Sequence, residues 1–69
     1  MIEIFVTDIP DRQAASEVLE LLHQRMASCR VDIDLEDCDK VLRVKGKDFQ
    51  PREVIRLVAA KGFCCRVLE

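Results

Sequence analysis

Residues 31–36, Val31-Asp32-Ile33-Asp34-Leu35-Glu36, alternate apolar and acidic without a break. Successive side chains of a strand point to opposite faces, so this segment reads as a half-buried strand with one wet face. Helical patterns lie on either side of it. Ala14, Val18, Leu21, Leu22 and Met26 recur at helical spacing, with Glu17, Glu20 and Gln24 between them. This predicts a first helix over residues 11–26, capped by Asp8 or Asp11, whose carboxylates can accept a backbone N–H. Pro51 opens a second helix, with Glu53 near the positive end of its dipole. Val54, Ile55, Leu57, Val58 and Ala59 form its apolar stripe. Gly62 is placed to end it, because glycine takes the left-handed conformation at little cost.

Three further strands complete the chain. Residues 2–6 are apolar and rich in β-branched side chains. In residues 41–45, Leu42 and Val44 alternate with Val41, Arg43 and Lys45. Residues 63–68 form the last strand. The order β-α-β-β-α-β is that of the ferredoxin-like motif. Right-handed crossovers then give a four-stranded antiparallel sheet of order 4-1-3-2, with both helices on one face. The fold class is α+β, in a single domain over residues 1–69. In that topology residues 7–12, 36–40 and 60–64 meet at one end, where a loop-built site is expected.

Composition narrows the function. The chain carries a net charge of −2 and three aromatic residues, all Phe. A nucleic-acid module would be visibly basic, and the RNA-binding version of this fold needs stacked aromatics with basic flanks. No run approaches the 18 apolar residues of a membrane helix. The first residues lack the basic and apolar stretches of a signal peptide, so the expected location is the cytoplasm. The absence of Asn excludes the acylphosphatase chemistry that this topology also hosts. With no Ser-His-Asp set and no glycine-rich phosphate loop, the chain is not expected to be an enzyme.

The chain resembles the heavy-metal-associated (HMA) domains of copper chaperones and heavy-metal pumps over its whole length. The likeness is densest in residues 31–36, which resemble the family's V-x-V-D-L-E strand. It is also strong in Ile55 to Val67, I-R-L-V-A-A-K-G-F-C-C-R-V, similar to the family's I-x-x-A-G-Y/F-x-x-x-V ending. The family's metal loop, V-x-G-M-x-C-x-x-C, aligns without gaps when anchored on Val18. Val6 stands at the Val, Asp8 at the Gly and Ile9 at the Met. Asp11 stands at the first Cys and Ala14 at the second. Two thiolates at that spacing suit soft Cu(I); a hard carboxylate and a methyl group do not.

The four cysteines, Cys29, Cys38, Cys64 and Cys65, contain no C-x-x-C. Cys29 and Cys38 lie at opposite ends of the second strand, up to about 30 Å apart. Cys64 and Cys65 are adjacent, too close for an unstrained disulfide. Strand alternation turns Cys65 toward the helices as a small core residue and Cys64 toward the open face. The candidate metal ligands are therefore Asp11, Cys38 and Cys64, with Asp8 as a substitute carboxylate. In the expected strand order, however, Cys38 and Cys64 sit at opposite sheet edges, roughly 14 Å apart unless the turn bends. His23 has no ligand at i±3 or i±4 and reads as a surface residue. Asp32, Asp34, Glu36, Asp37 and Asp39 form an acidic patch, read as a solvated edge that discourages strand pairing, or as a dock for a basic partner. Arg43, Lys45 and Lys47 face it as cross-strand ion-pair partners. Phe63 is expected to pack over Ile9, with Phe5 and Phe49 in or beside the core.

The expected function is a small HMA-like binding protein, resembling metallochaperones, with a degenerate or relocated metal-ion site. Its ion would be Cu(I) or Zn(II), weakly held. Its partner would be a metal-transporter domain or a similar ferredoxin-like module. The alternative is a metal-independent protein–protein interaction module on the same fold.

Overall fold

The structure is a computed structural model that describes residues 1–68. Six elements follow in the expected order: β1 Ile2–Thr7, α1 Arg12–Arg25, β2 Arg30–Asp34, β3 Val41–Lys45, α2 Pro51–Ala60 and β4 Cys65–Val67. The strands form one sheet of order β2-β3-β1-β4, antiparallel throughout. This is the expected 4-1-3-2 arrangement written from the other edge.

Both helices pack on the face that carries Phe5, Leu42 and Val44. From α1 the core takes Ala15, Val18 and Leu22, with Met26 at its end. From α2 it takes Val54, Leu57 and Val58. The burial pattern corrects the helix stripes by one position at two places. Ala15 is buried and Ala14 half-buried, while Ala59 is exposed. Phe49 is buried and Phe63 half-buried against the same core.

Two strands are shorter than their apolar pattern. The second ends at Asp34, because that carboxylate accepts the Glu36 N–H at 3.1 Å and turns the chain. The turn is closed by Lys40, which has a left-handed φ of 47° and whose Nζ donates to the Leu35 carbonyl at 3.0 Å. The fourth strand begins at Cys65 and not at Phe63, because the preceding backbone caps α2. The Gly62 N–H donates to Ala59 O at 2.9 Å and the Phe63 N–H to Val58 O at 3.3 Å. That pair of bonds is the Schellman pattern, and it needs the φ of +90° that Gly62 supplies.

Candidate functional site

The three loops expected at one end of the sheet do meet, and Thr7 and Asp8 join them. Thr7 is 7% exposed. Its N–H donates to Asp39 O at 3.1 Å, and its Oγ1 donates to Lys40 O at 2.6 Å. The same oxygen accepts the Ile9 N–H at 3.3 Å. One buried hydroxyl therefore ties the β2–β3 turn to the loop before α1. On the other side, Asp8 and Cys64 bond reciprocally. The Asp8 N–H donates to Cys64 O at 3.3 Å, and Asp8 Oδ1 accepts the Cys64 N–H at 2.7 Å. Sequence reasoning passed over Thr7, whose one signal was a polar residue where strand alternation calls for a core side chain.

Thr7→Val keeps the shape and removes the hydroxyl. It leaves the Lys40 carbonyl and the Ile9 N–H without this partner, which is expected to cost about 1–3 kcal/mol. Urea unfolding measures it; a change below about 0.5 kcal/mol would show that the hydroxyl is not what holds the loops.

Of the candidate ligands, Asp11 lies at the N-cap of α1. Its Oδ1 accepts the Ala14 N–H at 2.9 Å, and its carbonyl accepts the Ala15 N–H at 3.0 Å. Asp11, which aligns with the first thiolate of the family that the sequence resembles, is thus engaged in capping the helix, and Ala14, which aligns with the second, has no donor atom. These positions do not fit a two-thiolate Cu(I) site.

Cys38 is exposed in the β2–β3 turn between Asp37 and Asp39. One ligand atom from each of these three residues lies within 4.8 Å of the others, and neither Asp11 nor Cys64 belongs to the group. Asp37 Oδ1 also accepts the Asp39 N–H at 2.9 Å. The acidic patch had drawn attention to the flanking aspartates as charge, not as ligands. Cys64 is exposed beside Asp8. Cys38 and Cys64 therefore flank the Thr7–Asp8 segment from its two sides. His23 is exposed, and the expected cross-strand pair is present: Arg43 Nε donates to Asp32 Oδ1 at 3.0 Å.

The remaining thiols face inward. Cys29 is buried. Cys65 is half-buried against the core, and burial pushes its thiol up from 9.0 to about 12. At pH 8 an alkylating reagent is expected to label Cys38 and Cys64 quickly and Cys29 and Cys65 slowly, since the thiolate is the nucleophile. Counting adducts by mass spectrometry tests this, and a third fast adduct would refute it. The raised value also sets a sign. Between pH 9 and about 12 the unfolded chain has lost this proton and the native chain retains it. Stability is therefore whole below pH 9 and falls as pH rises toward 12.

The yeast copper transporter domain CCC2A, solved in solution in its apo and Cu(I)-loaded states, superimposes with a TM-score of 0.83. The alignment covers 99% of this chain and 94% of that one, at 14% identity. The likeness shows the fold. No family model and no curated protein matches the sequence. Among the described residues, no helix is long and apolar enough to cross a membrane.

Proposed function

We propose that the chain is a small, cytoplasmic HMA-like binding protein, resembling metallochaperones, whose ion site has degenerated and moved. The observation that carries this reading is the exchange at the loop end. Asp11 caps α1 where a thiolate would stand, while donor atoms of Asp37, Cys38 and Asp39 gather within 4.8 Å in the next loop. One thiolate with two carboxylates is a better set for Zn(II) than for Cu(I), which prefers sulfur. The exposure of Asp37, Cys38 and Asp39 and the Asp37–Asp39 hydrogen bond both keep the affinity low. The ion would be cargo, exchanged with a metal-transporter domain or another ferredoxin-like module. The likeness to a domain solved with Cu(I) supports this direction.

The test is a two-dimensional amide NMR titration of the reduced protein, first with Cu(I) and then with Zn(II). The expected result is weak, saturable shifts confined to residues 37–40, with a smaller response at residues 63–65, and their loss in Cys38→Ser. No shift at equimolar metal, or binding weaker than about 10 μM for both ions, would end the metal reading. The metal-independent interaction module would then stand. Asp34 and Asp37 favour that second reading, since each already uses a carboxylate oxygen to accept a turn N–H.

A further inference from the structure

The helices cover one face of the sheet and leave the other open. Among the described residues, Ile2, Ile4, Val6, Val41 and Leu68 lie outside the core cluster and the side chains packed on it. An antiparallel sheet with one wet face ordinarily carries polar residues there. Here the central strand β1 contributes Ile2, Ile4 and Val6 to it. Ile2 is 57% exposed and Leu68 47%, Ile4 and Val6 are half-buried, and Val41 is down to 9%.

The charges around this apolar stripe have a pattern. The ladder pairs Asp34 with Val41 and Val6 with Arg66, and continuing the β1–β3 register by one residue sets Val6 beside Val41. One row across the four strands thus reads Asp34, Val41, Val6, Arg66: negative, apolar, apolar, positive. The next row begins with Asp32 and Arg43, which neutralise each other, and continues through Ile4 to Leu68. The last row, Arg30, Lys45 and Ile2, puts two positive charges at the far end of the strands, where both stay exposed to solvent. Arg66 has no ion-pair partner among the described residues. Asp34 uses Oδ1 for the Glu36 N–H, which leaves Oδ2 available.

We infer that this open face docks a second copy of the chain across a two-fold axis running along the strands. Such an axis reverses each row. Asp34 then lies over Arg66 of the second copy, Val41 over Val6, Val6 over Val41, and Arg66 over Asp34. The row is complementary to its own reversal, which is what an isologous contact requires. Sheets stacked face to face sit about 10 Å apart and align within about 30°, a spacing these side chains fill. The face spans three strand spacings, about 14 Å. Along the six residues of β1 it runs about 20 Å, so it offers roughly 300 Å² on each copy. That is small against the 1,200 Å² or more in total of stable complexes, so the dimer is weak and reversible.

Sedimentation velocity in reducing, metal-free buffer tests this from about 10 μM to 1 mM, the range in which a weak dimer forms. The expected result is a dimer fraction that grows with concentration, with concentration-dependent amide shifts at Ile4 and Val6. Ile2→Glu, Arg66→Asp and Asp34→Arg are each expected to weaken association about tenfold or more, because each change appears twice in a two-fold interface. The double exchange Asp34→Arg with Arg66→Asp restores association to within about threefold of the native chain. Ile2 and Arg66 are exposed, so those variants keep the fold, and an unchanged urea midpoint verifies it. The single and double Asp34 variants both lose the carboxylate that accepts the Glu36 N–H, so the gain of the double exchange is read against the Asp34→Arg single variant, which shares that loss. A monomer throughout, a double exchange no better than the single ones, or association indifferent to Ile2→Glu would overturn the inference.

Discussion

Phe5→Ala is expected to leave a large fraction of the chain unfolded without any denaturant. Phe5 is fully buried on the central strand, paired with Leu42 on one side and Val67 on the other. It is one of the largest side chains in the core cluster that joins the sheet to both helices. Truncating a buried Phe to Ala costs about 3–5 kcal/mol, part lost transfer energy and part cavity. A domain of 69 residues holds a total of about 3–10 kcal/mol. The loss is thus comparable to everything that keeps the chain folded. Far-UV circular dichroism with urea unfolding measures it. Phe5→Leu, which refills most of the volume, is expected to lose under about 1.5 kcal/mol. A loss below 1.5 kcal/mol for Phe5→Ala would mean that the sheet and helices close over the gap.

Gly46→Ala is the second large effect, and it arises from a contact with Cys29. A Cβ built on Gly46 would lie 2.6 Å from Cys29 Sγ and 3.4 Å from its Cβ. Carbon and sulfur cannot approach that closely, so one of them must move. Neither moves easily. Cys29 is buried at 6% exposure. The Gly46 N–H is tied to Met1 O at 2.9 Å, and Gly46 follows directly on β3. Overpacking of this kind costs about 1–3 kcal/mol. The cause is checked by a double-mutant cycle. In a Cys29→Ala background the sulfur is gone and only the milder Cβ contact remains. Gly46→Ala should then cost at least about 1 kcal/mol less than in the native chain. Equal costs in both backgrounds would show that the clash is not with the thiol.

These two residues also show what was legible beforehand and what was not. Phe5 could be placed in or beside the core from its strand alone. The need for glycine at position 46 could not, because it depends on a cysteine 17 positions earlier that the β2–β3 pairing brings alongside. Gly62 was readable, because its role lies within one helix end, and the Schellman bonds bear it out. The candidate ligands divide in the same way. Asp11 had two readings, cap and ligand, and the hydrogen bond from Ala14 bears out the cap. Asp8 was the other candidate cap and instead holds the Cys64 backbone, 56 residues away in sequence.

The sequence by itself determined the element order, the strand order and which end carries the loops. Those follow from periodicities of 2 and 3.6 residues and from the handedness of crossovers, which act over short stretches of chain. It also determined that the chain holds no C-x-x-C pair, since that is a matter of residue identity. Only the tertiary structure decided that Thr7 locks two loops together, that Cys38 collects two aspartates, and that the open face carries a row complementary to its own reversal. Each of these depends on strand register or on the path of a turn. Register sets which side chains stand beside one another across the sheet, and local pattern carries no information about it until the strands have paired.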